Sequence, residues 1–391
     1  MSLDDEAAAE LASLSSLNRL RATHPYTGAN RVRPAEGGTG NRLLSFCSND
    51  YLGLADHQLL TESALAAARD HGFGAGSSRL VAGESVIHRQ LEAALAHLVG
   101  KPAAVTFPTG YQANVGVMTS LAGPDDLVVS DAFNHASIVD GCRLSRARIA
   151  VYEHADAEAA AQALSTPGSF RRRLLVTESI FSMDGDRPPL PALMDTARRH
   201  HAVTIVDEAH ALGVAGPGGR GVCAELGIAP DLIVGTLGKA FGTAGGFAAS
   251  SEAVSSLLIN RARTFIYTTA SPPPIAAATL AALALSAGPA GESRRSHVYD
   301  LAQHLRGRLA EAGFPVPGRD LILPVVVGED RRALELAGHL HDRGLLVPAI
   351  RPPTVPRGTA RLRVTLSAGH TKDDVDALAA ALVDLLRRGA L

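Results

Sequence analysis

The chain has 391 residues, room for about two to three ordinary domains and a large buried core. Hydrophobic residues make up 46% and charged residues 19%, a balance that excludes global disorder. Lys plus Arg (37) nearly cancels Asp plus Glu (39), for a formal net charge of −2, so no broad field attracts nucleic acid or anionic lipid and any anion site must be local. Three cysteines, Cys47, Cys142 and Cys223, lie far apart without a C-x-x-C pair, which suggests neither a disulfide framework nor a zinc site. A reduced cytoplasm and no metal are therefore expected. The acidic start MSLDDEAAAELASL lacks the basic and continuous apolar regions of a secretory leader. Ala-rich stretches elsewhere are broken by Arg, His or Asp, so no membrane span is expected.

Residues 1–41 read as an arm: an amphipathic helix with Leu11, Leu14, Leu17 and Leu20 spaced by three, then a Gly/Pro-rich connection from Gly28 to Gly40. From residue 42 to 287, apolar strand-type runs alternate with Ala/Leu-rich helical windows, the pattern of a mostly parallel α/β sheet between helices. The expected strands are 103–107, 127–130, 148–152, 174–177, 203–206 and 232–234. Ser271-Pro272-Pro273-Pro274 opens a long helix to about Ala287, and the Gly/Pro/Ser cluster from Gly288 to Ser293 reads as a junction. Residues 288–391 then form a smaller α/β unit. It is expected to have helices near 297–312, 331–343 and 372–388, with strands near 321–327, 345–350 and 361–366.

In open α/β sheets ligands collect beyond the carboxyl ends of the strands, and here those positions are polar. The run 103–107 leads to Thr109-Gly110-Tyr111, where a helix start offers free N–H groups to a phosphate. The next runs lead to Asp131 and His135, to Glu178, Ser182, Asp184 and Asp186, and to Asp207, Glu208 and His210. The last leads to Thr236 and Lys239. GTLGKAFG fails as a P-loop, because the first glycine would fall on Ile233 and Ala240 replaces the Ser/Thr. GPGGRG (216–221) matches G-x-G-x-x-G but does not join a strand to a helix, and reads as a loop.

A desolvated lysine loses its proton readily and can form a Schiff base with an aldehyde. A carboxylate at a strand end can keep a pyridine nitrogen protonated, and a pyridoxal site needs both. Asp207 and Lys239, separated by one crossover to a neighbouring parallel strand, fit that pairing. Each alone also reads more plainly, Lys239 as a loop lysine and Asp207 as a helix cap. His135 has the form of a ring that stacks on a flat cofactor, and His210 of a hydrogen-bond partner for a phenolic oxygen. Asp184 and Asp186 in FSMDGD read as turn residues, Ser182 as a site residue.

SNDYLGL (48–54), TGYQAN (109–114), NHAS (134–137), TESIFSMDGD, VDEAH and TLGKAFG occur in that order. The chain thereby resembles the α-oxoamine synthases, pyridoxal-phosphate enzymes of aminotransferase fold type I, over nearly its whole length. The resemblance implies a large domain with a mostly parallel seven-stranded sheet, a smaller α/β C-terminal domain, and a homodimer with shared active sites. It makes Lys239 the cofactor lysine, Asp207 the ring-nitrogen partner and His135 the stacking ring, with His210 and Ser182 near the phenolic oxygen. Phosphate would sit on Gly110, Tyr111 and Thr236, and Thr268 and Thr269 would complete a neighbouring subunit's phosphate site. Substrate contacts fall on Asn49, on Arg351 for the amino-acid carboxylate, and on Arg19 or Arg21 near the acyl chain, between which the spacing does not choose. Residues 349–368, AIRPPTVPRGTARLRVTLSA, are similar to the branch that condenses L-alanine with a pimeloyl thioester, on CoA or acyl-carrier protein, to 8-amino-7-oxononanoate for biotin. The rival branch is glycine C-acetyltransferase.

Overall fold

The computed structural model describes residues 1–28 and 32–388. Helix α1 (Leu3–Ser16) starts at a reciprocal cap: Ser2 Oγ accepts the Asp5 N–H, and the Asp5 carboxylate accepts the Ser2 N–H. The helix ends at Ser16, so of the expected leucine stripe it carries Leu11 and Leu14 but not Leu17 and Leu20, and none of its residues is buried.

The chain divides into two compact units. Residues 49–182 with 186–297 form the larger one, built on β1 (Ala103–Phe107), β2 (Asp126–Asp131), β3 (Arg148–Tyr152), β4 (Arg172–Glu178), β5 (Val203–Asp207), β6 (Leu232–Thr236) and β7 (Gly246–Ser250). They make one seven-stranded sheet in the order β1-β7-β6-β5-β4-β2-β3. All neighbours from β6 to β3 are parallel, and β7 runs antiparallel to both β1 and β6. Helices α2 (Gly110–Leu121) and α3 (Ala136–Ser145) follow β1 and β2. The inner strands are apolar on both faces, as a covered parallel sheet requires; Val105, Phe107, Met118, Ile138, Val176, Ile205 and Val234 share one buried cluster. All six expected strands are present. β7 adds to them without a strand signal, because its sequence GFAAS is mostly small and has no β-branched residue.

Small residues are needed where β7 meets the start of α2. A Cβ on Gly246 would fall within 2.5 Å of the Gly110 backbone, so the pair lets the helix start drop onto the sheet edge. α4 (Pro273–Ala287) matches the helix expected after the Pro-rich stretch. Within the 288–293 cluster α5 (Pro289–Glu311) already begins, with proline in the first turn, where its missing N–H costs nothing.

The second unit comprises residues 1–48, 183–185 and 298–391. Its three-stranded sheet places β9 (Ala360–Thr365) between β8 (Ile322–Gly328) and the short strand Ala349–Ile350, all antiparallel. α6 (Asp330–Asp342) and α7 (Lys372–Arg388) lie close to the expected ranges. No single helix among the described residues is long and apolar enough to cross a membrane.

Candidate active site

In the larger unit, the carboxyl ends of β4, β5 and β6 and the N-terminal ends of α2 and α3 surround a cavity of about 140 Å³. Gly110, Tyr111, His135, Asp207, His210, Thr236 and Lys239 all line it. Asn114, Ser137, Glu178 and Ala209 line it too, and none of these four had been assigned a role from sequence.

Asp207 ends β5 and is buried. Its Oδ2 accepts from Asn114 Nδ2 at 2.7 Å and its Oδ1 from the Ala209 N–H at 2.8 Å, so both oxygens are held by donors that favour the anion. Asn114 Nδ2 also donates to Ser137 Oγ at 3.0 Å, and that hydroxyl lies 2.7 Å from His135 Nδ1. The His135 N–H donates to Glu178 Oε1 at 2.6 Å. Burial pushes His135 below the usual histidine range, the Asp207 carboxylate opposes that, and the Lys239 ammonium reinforces it. The ring is therefore a neutral, flat surface on the cavity wall.

Lys239 Nζ lies 2.7 Å from His210 Nε2, and Tyr51 Oη lies 2.7 Å from His210 Nδ1. Tyr51 Oη also donates to Asn49 Oδ1 at 3.3 Å. On the anion side, Thr109 caps α2 by accepting the Gln112 N–H, while the Gly110 and Tyr111 N–H groups have no carbonyl a turn back to bond. Thr236 Oγ1 accepts from the Gly238 N–H and donates to the Gly245 carbonyl.

Other expected site residues lie elsewhere. Ser182 is buried beyond β4 and does not line this cavity. Thr268 and Thr269 sit on a segment pinned to residues 77–78 by the Ser78–Thr269 bridge and the Ala270 N–H to Ser77 O bond. Arg19, Arg21 and Arg351 line a hollow of about 70 Å³ in the second unit. There Arg351 Nη1 donates to the Asn18 carbonyl, and burial, then the Arg21 charge, lowers the Arg351 pKa.

Asp184 and Asp186 are more than turn residues. Asp184 pairs with the buried Arg361, while Asp186 takes one end of His154, whose other end binds Asp131. GPGGRG is indeed a loop, and Gly221 shows why: at φ 95°, a Cβ there would overlap Glu208 Oε2. Among the described residues no group of three or more His, Cys, Asp or Glu could hold a metal.

An amine, a carboxylate anchored at both oxygens, a neutral flat ring and an unbonded helix start facing one cavity fit pyridoxal phosphate. Cys and metal chemistry have no comparable cluster among the described residues.

Comparison with known proteins agrees with this arrangement. The chain is 46% identical to an 8-amino-7-oxononanoate synthase of Anaeromyxobacter dehalogenans over 389 residues, covering 98% of this chain and 96% of that one. It is 47% identical to one from Marinobacter nauticus over 354 residues, covering 90% and 89%. Among solved structures it superposes on Sphingomonas wittichii serine palmitoyltransferase with TM-score 0.91, 28% identity and 99% coverage of both chains. It superposes on a Francisella tularensis 8-amino-7-oxononanoate synthase with TM-score 0.78, 26% identity and coverage of 89% and 99%. The fold is aminotransferase fold type I. Since the family's sequence profile also matches residues 41–382, from before the sheet to the last helix, the chain belongs to the aminotransferase class I and II family.

Proposed function

We propose that the protein is a pyridoxal-phosphate acyltransferase that condenses L-alanine with a pimeloyl thioester, giving 8-amino-7-oxononanoate, carbon dioxide and the free thiol carrier. The alanine Cα bonds to the acyl carbonyl carbon, the C–S bond breaks, the alanine carboxylate leaves as carbon dioxide, and a proton returns to Cα. The relatives' names supply the substrates. The observation that carries the chemistry is that Lys239 and the doubly anchored Asp207 line one cavity.

When bound, pyridoxal phosphate supplies an electron sink for the charge released at the substrate's Cα. Lys239 Nζ would hold the cofactor and then, as a neutral amine, take the alanine Cα proton. The Asp207 carboxylate would keep a proton on the ring nitrogen, and Asn114 and the Ala209 N–H hold its two oxygens. His135 would press on the ring face. Gly110, Tyr111 and Thr236 would take the phosphate, helped by Thr268 and Thr269 from a second copy in a homodimer. His210 would face the phenolic oxygen. Asn49 and Arg351 would hold the amino acid, Arg351 by its bidentate fork, and Arg19 or Arg21 the acyl end. The same reading places the enzyme in the cytoplasm.

The test is thiol release with alanine, glycine and serine, each offered with pimeloyl-CoA and acetyl-CoA. Alanine with pimeloyl-CoA should be the best pair. Glycine with acetyl-CoA as the best pair would replace this reading with a glycine C-acetyltransferase.

A further inference from the structure

His210 sits in the middle of a hydrogen-bond chain, Lys239 Nζ to His210 Nε2 (2.7 Å), His210 Nδ1 to Tyr51 Oη (2.7 Å) and Tyr51 Oη to Asn49 Oδ1 (3.3 Å). Lys239 and Asn49 at its ends are half-buried, but Tyr51 is 1% exposed and His210 6%, so water does not replace the contact between these two. A neutral imidazole carries one N–H, and its position follows from the partners. At one end, a lysine ammonium can only donate, so Nε2 must accept. At the other, a phenol has a single proton, and the Asn49 amide oxygen can only accept it. The phenol oxygen is then left to accept from Nδ1–H. Both ends require the same tautomer.

We propose that Tyr51, oriented by Asn49, is a positioning residue that holds His210 protonated on Nδ1, with the Nε2 lone pair aimed at Lys239. The lone pair stabilises the lysine ammonium and gives its proton a neighbour that can receive it. Without the phenol the ring is free to carry its proton on Nε2 instead. Lys239 would then face a donor, which favours the neutral amine and lowers its pKa. Asp207, Glu178 and His135 also face this lysine, but they are unchanged by a substitution at Tyr51. The inference rests on Lys239 being the cofactor lysine of the proposed function, not on the identity of either substrate.

The experiment compares the cofactor-free, full-length parent and Tyr51→Phe by 15N NMR of histidine-labelled protein, with His210 assigned by a His210→Gln variant. Parent His210 should show protonated Nδ1 and bare Nε2, and Tyr51→Phe should gain the Nε2-protonated form. In the same pair, the pH midpoint for the rate at which cofactor-free protein takes up pyridoxal phosphate should fall by about one unit in the variant. Parent His210 protonated on Nε2, or an unmoved tautomer in Tyr51→Phe, would overturn the proposal. Should Tyr51→Phe not fold, Asn49→Ala decides: more Nε2-protonated ring supports the assignment, and no change overturns it. A parent protein that shows the Nδ1 tautomer yet releases no thiol with any donor would defeat the proposed function and leave this inference standing.

Discussion

Glu178 and Asp207 are register partners at the ends of the neighbouring parallel strands β4 and β5, and their carboxyls are held differently. Asp207 receives two hydrogen bonds on separate oxygens. Glu178 is fully buried, and burial, then the Asp207 charge, pushes its pKa well above the usual carboxylate range, with Lys239 partly opposing. Burial beside a second carboxyl thus favours the protonated form of Glu178.

Glu178→Gln should therefore be mild. The amide keeps an oxygen for the His135 N–H and mimics the protonated acid, so kcat/KM at neutral pH should stay within about threefold. Glu178→Ala leaves that N–H without its acceptor and should cost about 1–3 kcal/mol of stability. Thermal melts and steady-state rates on both variants check this; a Gln variant as damaged as the Ala variant would show that Glu178 works as an anion.

Asn114→Ala should weaken cofactor retention. It removes a 2.7 Å bond to the Asp207 carboxylate, worth about 1.5–3 kcal/mol for a charged acceptor, or roughly ten- to a hundredfold in affinity. Equilibrium dialysis of pyridoxal phosphate reads it directly. An unchanged Kd would mean that Asp207 needs no support from α2.

Much of the fold is legible in the sequence because the parallel strands are buried on both faces and so appear as continuous apolar runs such as LLVTE at 174–178. β7 escaped since GFAAS carries its information in size, being shaped to pass the start of α2. The cluster 288–293 hides the start of α5, because proline and glycine mark both loops and helix ends. At the site, strand ends identify Asp207, His135 and Lys239. Asn114 and Tyr51 act through contacts 93 and 159 residues away in sequence, and no spacing rule reports such pairs. Gly221 shows the opposite error that a motif invites: its glycine is required by Glu208, not by a phosphate.

Gly221→Ala follows from that contact. The change asks for a side chain at φ 95° and overlaps a fully buried carboxyl, so stability should fall by about 3 kcal/mol or more. A melt within a degree of the parent would contradict the packing around Glu208.

His154 sets a limit on alkaline stability. Burial disfavours its charged form, but bonds to Asp131 and Asp186 outweigh this and raise its pKa to about 10 from 6.5; Phe133 stacks on the ring at 4.3 Å. Since the folded value lies above the unfolded one, the stabilisation is complete below about pH 6.5 and lost as pH rises through 10. Melting temperature followed from pH 6 to 10.5 should decline more steeply in the parent than in His154→Asn, which has no charge to lose. Parallel curves would remove the charged pair from the account.

Mixing Lys239→Ala with a Thr268→Ala/Thr269→Ala double variant tests whether subunits share a phosphate site. Under conditions of proven subunit exchange, part of the parent's activity should return, since one mixed site keeps both Lys239 and an intact threonine pair. No recovery would confine each site to its own chain.

Release of labelled carbon dioxide from carboxyl-labelled L-alanine reads decarboxylative condensation directly. It should appear only when a pimeloyl thioester is present, in step with free thiol and one for one, and should vanish in Lys239→Ala. Alanine converted to pyruvate with its labelled carbon retained, or thiol released without labelled carbon dioxide, would contradict decarboxylative condensation at this site.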